Sequence, residues 1–274
     1  MRSLRTAPAL VLLLLLPALA LAQAPNEPLD SLLKHTGAKV SQFLDQLADV
    51  KCSEEVLQEK FGEKGKTEEK VQSLFEYLLV TENQGNEPLL YESRETRREG
   101  HSKKNVSLLV TNGFATQLLI FHPYYQQSFA FDRLPDAHLN GKTFMQVHFQ
   151  YIKGRLTPAV LLLRGREYPL PLAGTARINA ATGDVEQITT ELAASLEDLG
   201  LKSYRSEVLY APVAFQGREG SYTLPLQATV EVSTPRQRWK NVHRFTNYER
   251  FSVTVTEKVN TEKLREQEGQ KEKE

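Results

Sequence analysis

Three stretches of this chain alternate apolar and polar residues, and that alternation limits its fold more than any other feature. Met145, Val147, Phe149 and Tyr151 are separated by Gln146, His148 and Gln150. Leu224, Leu226, Ala228, Val230 and Val232 alternate with Gln227, Thr229 and Glu231. Phe251, Val253 and Val255 alternate with Ser252, Thr254 and Thr256. A period of two places the apolar residues on one face of a strand. A sheet with one apolar face has to bury that face against something.

The cover is legible upstream. Leu29, Leu32, Leu33, Val40, Phe43, Leu44, Leu47 and Val50 recur at helical spacing. They form a stripe on one side of a helix over 29–51, with Asp30, Lys34, Asp45 and Asp49 opposite. Gly37 weakens this helix locally, by about 1 kcal/mol relative to alanine. Between helix and sheet strands, residues 53–70 are charge-rich and read as a polar strand or loop. Leu74 to Val80 and Leu89 to Tyr91 flank Asn83-Gln84-Gly85-Asn86 and predict a hairpin. Phe114 to Phe121 predicts a short helix stopped by Pro123. Phe129-Ala130-Phe131 leads to a turn at Pro135-Asp136. Ala159 to Leu163 is a short apolar strand. Residues 192–199 read as a loop with a helical turn ending at Gly200, before a strand at Val208-Leu209-Tyr210.

The first 22 residues set the compartment. Arg2 and Arg5 precede the apolar run Ala9 to Leu16, then Pro17 and the small-residue exit Ala20-Leu21-Ala22. This is the build of a secretory signal peptide, with an apolar core short for a membrane span. Cleavage near Gln23 leaves 32 basic against 34 acidic residues, a net charge near −2. That balance argues against nucleic-acid binding, which calls for a basic stripe. Cys52 is the single cysteine, so no intrachain disulfide forms and the hydrophobic core alone holds the fold. Cys52 lies in no lipobox and reads as an inert buried thiol. Residues 257–274 are almost devoid of apolar side chains and predict a disordered tail.

The organisation is therefore a leader at 1–22, one domain at 23–256 and a charged tail at 257–274. The fold class is α+β and β-dominated: a curved antiparallel sheet, or half-barrel, covered by an N-terminal amphipathic helix.

Two segments carry a resemblance. Ala176-Arg177-Ile178-Asn179-Ala180-Ala181-Thr182-Gly183-Asp184-Val185 is a strand, a Thr-Gly turn and a second strand. Phe245-Thr246-Asn247-Tyr248-Glu249-Arg250-Phe251 is similar to the closing strands of uncharacterised exported bacterial proteins. With the order of elements over 29–256, they resemble the periplasmic lipoprotein-carrier superfamily, the LolA-like and outer-membrane lipoprotein-sorting proteins. The resemblance implies a non-enzymatic periplasmic or secreted protein holding a lipid or lipoprotein acyl chain between sheet and helix.

On that reading Leu32, Val40, Phe43 and Leu47 form one wall of the ligand site. The aromatic cluster Phe121, Tyr124, Tyr125 and Phe129 either packs in the core or lines the cavity mouth, where tyrosine can keep its hydroxyl in water. The basic groups Arg94, Arg97, Arg98, Lys103 and Lys104, and Arg236, Arg238, Lys240 and Arg244 around Trp239, read as solvated loops. The first of them could also meet anionic headgroups.

Enzymatic signatures are poor. Ser31-Leu32-Leu33-Lys34 matches a Ser-x-x-Lys pattern but falls on the solvent side of the helix, and its partner motifs are absent. Gly65-Lys66-Thr67 and Gly141-Lys142-Thr143 lack the upstream glycine of a phosphate loop and read as turns. His35, His101, His122, His138, His148 and His243 show no zinc spacing. We expect no cofactor, no metal, no nucleic-acid partner and no transmembrane segment in the mature chain. Two other classes stay open beside a carrier of lipid or lipoprotein. One is an envelope interaction module with a filled core that binds another envelope protein. The other is an enzyme with dispersed residues.

Overall fold

The structure is a computed structural model that describes residues 28–47, 49–62, 65–84, 87–98, 111–163, 165–217 and 220–251. The leader at 1–22, the tail at 257–274 and the alternating stretch 252–256 lie outside the described residues, and so do Lys103 and Lys104.

Helix α1 spans Leu29–Gln46 and buries Leu32, Thr36, Gly37, Val40, Phe43 and Leu44. It stops five residues short of the expected end. Leu47 is already extended (φ −67°, ψ 115°), and the chain enters strand β1, Val50–Phe61, whose register alternates buried and half-buried residues. The sheet then runs through β2 (Thr67–Gln84), β3 (Glu87–Arg98), β4 (Phe129–Leu139) and β5 (Lys142–Tyr151). A separate hairpin, β6 (Val160–Leu163) and β7 (Arg166–Pro169), follows. The chain closes through β8 (Leu172–Asn179), β9 (Val185–Leu192), β10 (Ser203–Val213), β11 (Tyr222–Ser233) and β12 (Arg238–Arg250). A 3-10 helix at Thr116–Phe121 and helix α2, Pro123–Gln126, lie between β3 and β4.

Ten strands form one antiparallel sheet in the order β3-β2-β1-β12-β11-β10-β9-β8-β5-β4, while β6 and β7 pair only with each other. The sheet is large, curved and open, not closed into a barrel. The expected fold class is therefore what the chain adopts. The first strand pairs with the last, so β3 and β4 become the two edges. The connection between those edges carries the 3-10 helix and α2. With α1 they fill the concave side: Leu32, Phe114, Leu118, Leu119, Ile120 and Phe121 are all at most 2% exposed.

Two glycines seat α1. A Cβ at Gly37 would lie 2.7 Å from Gln126 Nε2 and 3.0 Å from the Phe121 carbonyl oxygen. Gln126 Nε2 donates to the carbonyls of Leu33 (2.8 Å) and Phe121 (2.6 Å), tying helix to corner. The propensity lost at Gly37 thus permits close packing. At Gly183, in the β8–β9 turn with φ +75°, a Cβ would meet the His35 ring at 2.8 Å.

Several local expectations are corrected. Over residues 53–61 and 67–70 the strand alternative, not the loop, is what forms: β1 and β2 pair from Val50↔Leu79 to Phe61↔Thr67. Pro135-Asp136 is a bulge inside β4, where the register shifts between Leu134 and Ala137. The turn comes at Asn140 and Gly141, both at positive φ. Pro123 ends the 3-10 helix and opens α2 at its first turn, a position where its missing N–H costs nothing. Leu226 faces solvent at 50% exposure, because a bulge opposite Leu209 and Tyr210 breaks the alternation of β11. The segment around Trp239 is mostly strand β12, with Trp239 buried and Arg236 before its start. Phe251 lies just past β12 and is not in a strand.

Candidate functional site

The apolar seam between α1 and the sheet is packed nearly shut. One opening in it is a shallow pocket whose empty space of about 250 Å³ includes open solvent. Val40 and Phe43 of α1, Leu118 of the 3-10 helix and Val185 of β9 form its apolar wall. Lys39, Asp184, Gly183 and Thr223 complete the lining.

Of the eight ligand-wall candidates, only Val40 and Phe43 line the pocket. Leu32 (0% exposed) and Leu47 are core residues. Phe121, Tyr125 and Phe129 are buried in the aromatic core and Tyr124 packs half-buried against it. Phe121 and Phe129 stack edge-on against Phe149, at 6.2 and 6.0 Å between centroids. The Tyr125 hydroxyl donates to Glu87 (3.0 Å), so this cluster is core packing with a polar anchor. Ser31 and Lys34 are both exposed on α1, as the helical pattern requires.

The concave face holds a second feature that sequence reasoning missed, a buried ionic network. Glu54 of β1 and His243 of β12 are both 0% exposed. Arg94 of β3 donates to both Glu54 oxygens through Nε and Nη2, the latter at 2.7 Å. His243 Nδ1 lies 2.7 Å from Glu54 Oε1. Burial pushes the Glu54 carboxyl up, but the His243 hydrogen bond and the Arg94 guanidinium outweigh it and hold the group below its usual range. Burial holds His243 below its ordinary value, against the pull of Glu54. A neutral imidazole beside a carboxylate carries its proton on Nδ1 and donates it to Glu54. Nε2 then faces the Thr111 hydroxyl, 3.4 Å away. Arg94 also lies over the rings of Tyr77 (5.3 Å) and Phe114 (5.7 Å).

The same strand fastens the connection that fills the concave face. The Glu92 carboxylate accepts from the backbone N–H groups of Gly113 (2.8 Å), Phe114 (2.9 Å) and Thr116 (2.7 Å), and from the Thr116 hydroxyl (2.8 Å). Arg94 also bonds Asn112, whose amide donates to the Glu92 carbonyl (3.0 Å). Tyr210 donates to the Phe114 carbonyl (2.7 Å). Arg94 is therefore no solvated loop residue, while Arg97 pairs with Glu76 at 2.6 Å on the other face.

The network is structural in geometry: the Glu54 carboxylate is matched within it by Arg94 and His243. Cys52 lies nearby, buried, and burial pushes its thiol up to about 12. A thiol held there is protonated at neutral pH and a poor nucleophile. Among the described residues, no three His, Cys, Asp or Glu side chains gather as metal ligands, and no helix is long and apolar enough to cross a membrane.

No family profile and no curated protein matches this sequence. Solved structures do match. One is a LolA superfamily protein from Nitrosomonas europaea, 8% identical over 81% of this chain and 94% of that one, with a TM-score of 0.39. A DUF1329 family protein from Desulfovibrio piger is 9% identical over 84% and 95% of the two chains, with a TM-score of 0.42. An outer membrane lipoprotein-sorting protein domain from Vibrio parahaemolyticus is 10% identical over 84% and 98%, with a TM-score of 0.39.

Proposed function

We propose that this is an exported, non-enzymatic binding protein that holds an apolar guest, a lipid or lipoprotein acyl chain, between α1 and the concave face of the sheet. The observation that supports this reading is the pocket between Val40 and Phe43 of α1, Leu118 and Val185. It is apolar, it opens at the seam, and one of its walls is a helix rather than a strand. As it stands the pocket is too small to enclose an acyl chain. Full entry requires α1 to tilt away from the β8–β9 turn, where His35 rests on Gly183. Each methylene buried contributes about 0.8 kcal/mol toward that opening.

A second reading rests on a different observation. Phe114 and Leu118 to Phe121 already occupy the concave face at 0–2% exposure, as in an interaction module with a filled core. Native mass spectrometry of the exported protein, with lipid extraction of the same sample, separates the two. The carrier reading expects a bound species of lipid mass that is lost in Thr223→Trp, which fills the pocket mouth from a half-buried position. It also expects loss in Phe43→Asp wherever that variant stays folded. An apo mass in the wild type, with no uptake of added phospholipid or lipopeptide, overturns the carrier reading in favour of the filled core.

A further inference from the structure

The hairpin between β5 and β8 buries nothing. Among residues 151–171 that are described, none is buried. Yet Ile152 (40% exposed), Leu156 (63%), Val160 (40%) and Leu162 (66%) are four of the seven large apolar side chains exposed among the described residues. The other three, Tyr91, Leu139 and Leu226, are dispersed over β3, β4 and β11.

The display is ordered. The Tyr151 hydroxyl donates to the Arg155 carbonyl (2.6 Å), Ile152 N–H to Ser128 (2.9 Å), and Leu170 N–H to Ala159 (3.0 Å), closing the hairpin base. In the ladder Val160 opposes Pro169 and Leu162 opposes Glu167. Val160 and Leu162 therefore share one face, and Leu161, Leu163 and Tyr168 the other. An isolated two-stranded hairpin is marginal in water and gains stability by packing on something. This one pairs with no strand of the main sheet.

The charges around it narrow what that something is. Lys153, Arg155 and Arg166 are exposed against one acid, Glu167, and none of the three basic groups joins an ion pair among the described residues. A second copy docking by two-fold symmetry would bring this cationic rim against itself. Exposed apolar side chains interspersed with cations, with Tyr168 on the hairpin, match the boundary of an anionic bilayer: acyl region for the leucines, phosphates for the lysine and arginines.

We propose that residues 152–169 form a membrane-docking hairpin that inserts Leu156 and Leu162 into the interface of an anionic lipid surface. It is separate from the guest pocket. Strands β5 and β8 pair from Gln150↔Ala173 beside the hairpin to Phe144↔Asn179 beside the pocket turn, roughly 20 Å along the strands.

The test is flotation of the exported protein with vesicles of phosphatidylcholine, with and without a quarter phosphatidylglycerol, at 0.1 and 0.5 M salt. The wild type is expected to float with the anionic vesicles, and less at high salt. The double variant L156D/L162D is expected to lose at least tenfold in partitioning, while its thermal melt and any bound guest mass stay unchanged. The triple variant K153Q/R155Q/R166Q is expected to lose the preference for phosphatidylglycerol. Thr223→Trp, which blocks the pocket, is expected to float like wild type, so failure of the carrier reading leaves this result standing. Equal flotation of wild type and L156D/L162D overturns the proposal. So does a wild type that ignores vesicles, whether it stays monomeric or forms a dimer that L162D dissolves.

Discussion

Replacing Arg94 by methionine tests whether the Glu54–Arg94–His243 network is a matched buried ion cluster. Glu54 is 0% and Arg94 10% exposed, so the guanidinium is the carboxylate's main source of compensating charge. Methionine keeps much of the aliphatic stem but leaves Glu54 buried against His243 alone. Breaking a buried pair from one side costs about 3–5 kcal/mol. The contacts of the guanidinium with Tyr77 and Phe114 are lost as well. At this size each kcal/mol moves the melting temperature by roughly 2–4 °C, so a drop on the order of 6–20 °C is expected at pH 7.5. The pH dependence carries the diagnostic sign. In the wild type the Glu54 carboxyl is held below its unfolded value of about 4.3, so its contribution is present above that pH and lost as pH falls through the folded value. In Arg94→Met, burial dominates and raises the folded value above the unfolded one. The penalty then appears as pH rises through about 4.3 and beyond. The gap between wild type and variant is therefore widest near neutrality and narrows toward pH 4. Urea midpoints across pH 4–8 measure it. A gap under about 1 kcal/mol at pH 7.5, or one that stays constant down to pH 4, refutes the reasoning. The double variant E54Q/R94M should recover most of the loss, because no charge is left stranded.

Other expectations follow from the same geometry. Glu92→Ala strips four hydrogen bonds from the start of the 3-10 helix and should cost about 3 kcal/mol, with faster hydrogen exchange at Gly113, Phe114 and Thr116 as the local readout. His243 is held below its ordinary value of about 6.5, so the unfolded chain takes up its proton first. The stability from this group is whole above that pH and declines below it, and His243→Gln should flatten that limb of the urea-midpoint profile between pH 7.5 and 5. Cys52, pushed up to about 12 and buried, should resist a thiol reagent at pH 8 until urea unfolds the chain. Gly183→Ala forces a Cβ into the left-handed region and onto the His35 ring, and should cost about 1–2 kcal/mol by thermal melt.

The half-barrel and its helical cover were legible in the sequence because their signals are local. The stripe of α1, the alternation of β5 and most of β11, the 74–91 hairpin and the turn before Val185 each depend on residues a few positions apart. Where alternation failed, the cause is on the concave face. β1 buries Glu54 and Gln58 along with Val50, Cys52 and Val56, so its pattern looks charge-rich rather than half-apolar. The lining of the pocket was legible only in part. The helical stripe supplied Val40 and Phe43, but its remaining residues fill the core, and spacing cannot tell a wall with space before it from one without.

What the sequence alone determined is the kind of protein this is: a disulfide-free, sheet-dominated chain with one amphipathic helix to cover its apolar face. Only the tertiary structure decided what sits on that face. Glu54 and Arg94 are 40 residues apart, and Glu54 and His243 are 189 apart. They meet because the first strand pairs with the last and β3 lies two strands away from β1. An ion pair becomes strong when water is removed from both partners, and which side chains lose their water is set by the stacking of elements across the whole chain. For the same reason the hairpin at 152–169 reads as an ordinary short strand in sequence. Its exposure follows from the pairing of β5 directly with β8, which leaves β6 and β7 outside the sheet.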